Sequence, residues 1–173
     1  GVDYHQSFLK KLGLLDPVST QIPDLPNSNT PLNWREVNTM TISYGYGISV
    51  SPLHAAVSGA TLVNGGRLLK PSFLKIEEGR NIDSKQVLDP STSEKIKKLM
   101  YLNVVNGSGK SAAVDGIFVG GKTGTANKLI DGIYDKENRR TTFMGVFPLD
   151  EPKYIMFLLL DEPKPTENSY GYA

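Results

Sequence analysis

Residues 116–126 read Gly116-Ile117-Phe118-Val119-Gly120-Gly121-Lys122-Thr123-Gly124-Thr125-Ala126, and two chemistries can be written on them. The first eight satisfy the phosphate-loop pattern G-x-x-x-x-G-K-[ST] letter for letter. That loop needs pliant residues between its glycines, so that successive amides curl around an anion, and a helix must start at the lysine. Ile117, Phe118 and Val119 are instead stiff strand formers, and the residues after Thr123 make a polar stretch with no helical stripe. A nucleotide-binding module at Gly116 to Thr123 is therefore the alternative, not the expectation. On a strand the same letters do something else. Period-2 alternation puts Thr123 and Thr125 on one side, where two hydroxyls can grip a carboxylate. Lys122 raises the positive potential where an anionic tail would sit. Gly120, Gly121 and Gly124 leave room for a peptide to add along the strand edge through backbone hydrogen bonds.

Other chemistry-bearing residues are sparse. Zero cysteines exclude a thiolate nucleophile, a disulfide scaffold and a Cys-ligated zinc site. His5 and His54 are the only histidines, and neither has a carboxylate at ligand spacing. His54 falls in the first turn of a small-residue helix, where packing is the expected role. Asp161-Glu162 reads as a solvated strand end and Arg139-Arg140 as surface charge. Asn106-Gly107-Ser108-Gly109-Lys110-Ser111 looks like a second phosphate loop, but Val104 stands where its first glycine belongs.

The elements that must position these residues are well punctuated. Tyr4 to Leu12 carries Phe8, Leu9 and Leu12 at helical spacing, with Gly13 as its stop. Residues 16–33 hold too many Pro and Asn residues for regular structure. Ser51 caps a helix over 52–64, Pro52 suits its first position, and Gly65-Gly66 ends it. Arg67 to Glu77 reads as extended, turning at Gly79. A capping box at Ser91-Thr92-Ser93-Glu94 starts another helix, whose buried stripe is Ile96, Leu99, Met100 and Val104. Strands follow at about 117–125, 141–147 and 154–161, with a polar loop over 126–140 and a short hairpin connection over 148–153. Tyr154 to Leu160 is apolar at every position, so cover on both faces is expected. The fold class is α+β, with a mostly antiparallel sheet covered by helices on both faces.

Composition excludes further classes. With 39% apolar and 21% charged residues the chain is not disordered. Its longest apolar run is far shorter than a membrane span. Net charge +1 offers no reason to expect nucleic acid as a partner. At 173 residues the length suits one domain. The ends, Gly1-Val2-Asp3 and Tyr170-Gly171-Tyr172-Ala173, read as cuts in a longer polypeptide.

Gly120 to Ala126 resembles the K-T-G element of the penicillin-recognising enzymes. Ser43-Tyr44-Gly45-Tyr46-Gly47, Ser51-Pro52-Leu53-His54-Ala55-Ala56, Val63-Asn64-Gly65-Gly66, Phe143-Met144-Gly145-Val146-Phe147-Pro148 and Asp161-Glu162-Pro163 are similar, in order, to class B penicillin-binding proteins. The cell-division type is the most similar. The resemblance implies a serine D,D-transpeptidase that cross-links peptidoglycan stem peptides at the septum, without metal or organic cofactor. It implies Lys122 and Thr125 as catalytic residues, and Gly121, Thr123, Gly124, Thr125 and Tyr170 as substrate-binding residues. Its implied partners are D-Ala-D-Ala stem peptides, β-lactams and other cell-division proteins. Its implied location is the cell envelope, on the periplasmic face of the inner membrane, held by an N-terminal anchor outside this chain.

One departure stands out. The family's nucleophile is the Ser of S-x-x-K, assisted by a later S-x-N, which 1–173 lacks. Ser72-Phe73-Leu74-Lys75 on a strand would point Ser and Lys to opposite faces. Ser7-Phe8-Leu9-Lys10 shares a helix face, but lies in a stretch resembling the family downstream of both motifs. The expectation is a C-terminal portion of the transpeptidase domain, lacking S-x-x-K, S-x-N and the final helix. It would be inactive alone and would expose an apolar face where the rest belongs. A noncatalytic interaction fragment is the other alternative.

Overall fold

The computed structural model describes residues 1–77, 79–80 and 82–164. Where the length suggests one body, the chain divides into two units, Gly1–Ile96 and the part from Lys97 onward. Both are α+β with antiparallel strands.

In the first unit, α1 (Val2–Lys11) ends as its residues dictate. Gly13 adopts a left-handed φ of 75°, letting its amide bond Lys10 O and the Leu14 amide bond Leu9 O. That 6→1 and 5→2 pair satisfies carbonyls the helix end would otherwise leave bare. A second helix, α2 (Glu36–Ser43), is absent from the sequence expectations. Val37 and Met40 are exposed and only Ile42 is buried, so no apolar stripe announces it. It starts because the Asn38 side chain accepts the Arg35 N–H at 2.8 Å. Helix α3 (Pro52–Val63) matches its expected span, with Ser51 accepting the His54 N–H at 3.3 Å.

The extended reading of 67–77 shrinks to β1 (Arg67–Leu69), paired antiparallel with β2 (Ser84–Gln86). Beyond it Ser72 bonds the Leu74 amide, a local turn that stops the strand. Helix α4 (Pro90–Asn106) begins one residue earlier than the Ser91 box implies. Asp89 is the residue that caps it, its carboxylate accepting the Ser91 N–H at 2.8 Å. The Ser91 hydroxyl foremost, and then that amide, hold the Asp89 carboxyl below its ordinary pKa. Ser93 is instead fully buried, donating to Leu62 O at 2.7 Å and accepting from the Gly65 N–H at 3.0 Å.

The second unit holds the rest of α4 and a three-stranded meander. Strands β3 (Gly120–Ile130), β4 (Ile133–Phe147) and β5 (Tyr154–Asp161) lie in the order β3-β4-β5. Met100 and Val104 are buried as expected, but Leu99 is 65% exposed. Residues 126–140 are not a loop: they extend β3 and β4 into a hairpin. Asp131 and Gly132 both take positive φ at its tip, 50° and 82°, which is the two-residue turn whose twist matches flanking strands. Residues 117–119 fall outside the strand. On β5, Met156, Leu158 and Leu160 are exposed on one face and Leu159 on the other, among the described residues.

Candidate functional site

Lys122-Thr123-Gly124-Thr125 lies on β3, which pairs only with β4 among the described residues and so presents a free edge. Antiparallel residues alternate between turning both backbone groups toward the partner strand and turning both away. The Asn103 side-chain amide donates to Gly121 O at 2.9 Å, and Lys122 Nζ donates to Thr123 O at 2.6 Å. Gly121 and Thr123 therefore face away from β4, and Thr125 with them. The Thr125 N–H points out of the open edge, and its side chain is exposed.

Thr123 and Thr125 share a face, as alternation requires. Lys122 belongs to the other face, but its long chain brings the ammonium round to the edge. The helix that a phosphate loop needs at Lys122 does not form; β3 runs straight through it.

The glycines serve a purpose other than the one expected of them. Gly121 and Gly145 are direct cross-strand partners, and the Phe143 ring lies over both. A Cβ at Gly121 would collide with that ring and come within 2.8 Å of Met144 O. One at Gly120 would meet Leu149 at 2.7 Å, and one at Gly124 would meet Thr142 Oγ1 at 2.5 Å. The space beside these glycines is filled by the protein itself. What remains open to a ligand is the strand edge.

Two residues at the site, Asn103 and Ser108, are absent from the sequence expectations as functional groups. Ser108 Oγ lies 2.5 Å from Thr123 Oγ1 and 3.2 Å from Asn103 Oδ1. Their one signal is the nearby Asn-Gly-Ser-Gly string, legible only as a broken phosphate loop.

Beyond Thr125 the register shifts between Asn127 and Lys128. Lys128, only 16% exposed in its side chain, donates to Asp161 Oδ2 at 3.1 Å and to Glu162 Oε1 at 2.5 Å. Arg140 Nε donates to Asp161 Oδ1 at 3.0 Å. These bonds hold Asp161 below the usual carboxylate range, Arg140 foremost, and raise Lys128. Asp161-Glu162 is thus an ion-paired corner and not a catalytic carboxylate pair.

The remaining candidates separate from the strand. Ser7 Oγ donates to Tyr4 O at 2.9 Å within its own helix, and Lys10 pairs with Asp16 at 3.4 Å. Ser72 lies in an irregular segment, hydrogen-bonded to Leu74 and Gln21. His54 is fully buried. Its Nε2–H donates to Asp16 O at 3.1 Å, and its Nδ1 accepts the Ser51 hydroxyl at 2.7 Å, so it packs as expected. His5 stands edge-on to Trp34. Tyr170 lies outside the described residues. Among those residues no three His, Asp or Glu side chains gather as metal ligands, and no helix is long and apolar enough to cross a membrane.

Residues 1–173 match the family described as the penicillin binding protein transpeptidase domain. A probable peptidoglycan D,D-transpeptidase FtsI of Caulobacter vibrioides is 34% identical over 96% of this chain and 30% of its own length. Stage V sporulation protein D of Bacillus subtilis is 35% identical over 75% of this chain and 22% of its own. The chain thus spans less than a third of these curated relatives. Among solved structures, the apo transpeptidase domain of Burkholderia pseudomallei penicillin-binding protein 3 superposes with a TM-score of 0.85 at 28% identity. That match covers 91% of this chain and 49% of the other. Mycobacterium tuberculosis penicillin-binding protein 3 complexed with ampicillin has the same fold, with a TM-score of 0.85 at 24% identity over 94% of this chain and 40% of its own.

Proposed function

Because the chain belongs to the penicillin-binding protein transpeptidase domain family, we propose that β3 is one wall of the active site of a septal peptidoglycan D,D-transpeptidase. Residues 1–173 would form the C-terminal portion of that domain, with the nucleophilic serine and its S-x-N partner supplied by other residues. The observation that carries this reading is the free edge of β3, with two hydroxyls on one face and the Thr125 amide directed outward.

In the complete enzyme the serine attacks the carbonyl joining the two residues of D-Ala-D-Ala. The terminal D-Ala leaves as an amine, and the acyl group passes to an amine of a neighbouring strand, freeing the serine. The Thr125 N–H donates to the oxyanion at each tetrahedral stage, as one of two donors. Losing one such donor typically costs about 3 kcal/mol. The Thr123 and Thr125 hydroxyls hold the terminal carboxylate, and the Lys122 ammonium favours negative charge at the edge. The stem peptide lies along β3 as an added strand. β-Lactams enter the same cleft and acylate the same serine. The site then works in the cell envelope, on the periplasmic face of the inner membrane, beside other cell-division proteins and tethered through an N-terminal anchor.

A fluorescent penicillin tests the placement of the nucleophile. The 173-residue chain should take up no covalent label, and stoichiometric labelling at Ser7 or Ser72 would overturn the reading. Calorimetric titration with ATP should be flat; saturable binding lost in Lys122→Ala would restore the nucleotide-binding alternative.

A further inference from the structure

The loop after α4 uses the Asn-Gly-Ser-Gly string in a way its letters do not suggest. The Asn103 amide is pinned at its nitrogen, which donates to Gly121 O at 2.9 Å. Its oxygen must then face the other way, where the Ser108 hydroxyl reaches it at 3.2 Å. The same Ser108 oxygen is 2.5 Å from Thr123 Oγ1, and either hydroxyl can be the donor. Gly107 and Gly109 make space for this amide: a Cβ at 107 would meet Asn103 Oδ1 at 2.5 Å, and one at 109 would meet Asn103 Nδ2 at 2.8 Å. The amides of both glycines also close onto Asn103 O, at 3.0 and 3.1 Å. The string is a cradle built around Asn103, and its product is a fixed hydroxyl beside Thr123.

We propose that Asn103 and Ser108 are positioning residues that orient the Thr123 hydroxyl for a substrate carboxylate, an inference that rests on the transpeptidase reading of β3. Without a ligand, Thr123 gives its proton to Ser108, and Ser108 gives its own to Asn103 Oδ1. When a carboxylate arrives, Thr123 turns its proton to the anion and accepts the proton of Ser108 instead. No heavy-atom bond forms or breaks, and each hydroxyl keeps its proton. A hydrogen bond to an ionised acceptor is stronger than one between neutral groups, so the exchange favours the anion.

The test uses the 173-residue chain and two probes, N-acetyl-D-Ala-D-Ala and its C-terminal amide, followed by NMR titration of the β3 amides. Wild type should bind the free acid more tightly than the amide. Ser108→Ala should weaken the acid by about three- to tenfold, the worth of one hydrogen bond, and leave the amide unchanged. Ser108→Thr should restore binding, and Gly109→Ala should reproduce the loss by displacing Asn103. Three-bond couplings at Thr123 give an independent readout: one side-chain rotamer in wild type, averaged rotamers in Ser108→Ala. Unchanged acid binding and an unaveraged Thr123 in Ser108→Ala, with binding lost in Thr123→Val, would overturn the positioning role alone. Equal binding of acid and amide by wild type would overturn the carboxylate site, and this role with it.

Discussion

Replacing Gly121 by alanine tests whether the strand that carries the site is held by its own packing. The backbone there is not in the left-handed region, so alanine is conformationally admitted. By itself that change favours folding by about 0.4–1 kcal/mol, through the less free unfolded chain. Against it stands the new Cβ, which would collide with the Phe143 ring and lie 2.8 Å from Met144 O. The ring cannot simply slide along the sheet, because it also covers Gly145, where a Cβ would sit 3.0 Å from it. The carbonyl belongs to the facing strand and moves only with it. Overpacking of this kind costs about 1–3 kcal/mol, leaving a net loss of roughly 0.5–2 kcal/mol. For a unit of this size the midpoint of thermal unfolding should fall by roughly 3–12 °C. Hydrogen exchange at the β3 and β4 amides, read beside the melting curve, localises the effect to this unit. Phe143→Leu in the same chain should return part of the loss, since the ring is relieved and the carbonyl is not. A Gly121→Ala protein as stable as wild type would refute the argument, as would strict additivity with Phe143→Leu.

Ser93→Ala should destabilise the first unit by about 1–3 kcal/mol, because Leu62 O and the Gly65 N–H would each lose a part-buried hydrogen bond to the Ser93 hydroxyl; urea denaturation measures it, and a change within error would refute it. Asp161→Asn tests the ion-paired corner through pH. Asp161 is held below its ordinary value of 3.8, mainly by Arg140 and then by Lys128, so its contribution is complete above that value and fades as pH falls through the lowered one. The stability gap between wild type and Asp161→Asn should therefore close in acid; a gap constant from neutral pH to about pH 2 would contradict it.

What could be read from the chain, and what could not, divides along a physical line. Features set by near neighbours were legible. Examples are the Gly13 helix stop, the Ser51-Pro52 start, the short connection over 148–153 and the alternation that puts two threonines on one face. Features set by distant contacts were not. Helix α2 buries one side chain and rests on an Asn38–Arg35 bond, so periodicity could not announce it. Ser91 looks like the cap, yet the cap passes to Asp89, and Ser93 inside the same box is claimed by the end of another helix. The 126–140 hairpin is a different failure. Its Asp131-Gly132 turn between Ile130 and Ile133 is a strong local signal, masked by the charged residues around it.

The glycines of the strand make the sharpest case. Taken as room for a ligand they mislead, since Phe143, Leu149 and Thr142 occupy the space beside them. Their effect is to let β3 lie close against its neighbours with no side chains of its own at Gly120, Gly121 and Gly124. Over residues 120–125, the groups left to face outward are the backbone edge, two hydroxyls and one ammonium. On the transpeptidase reading proposed above, such an edge suits a ligand that brings an extended backbone and an anion. The glycine string therefore shapes the strand by what it removes, and the Asn-Gly-Ser-Gly loop adds the Ser108 hydroxyl as a partner for one of the two threonines.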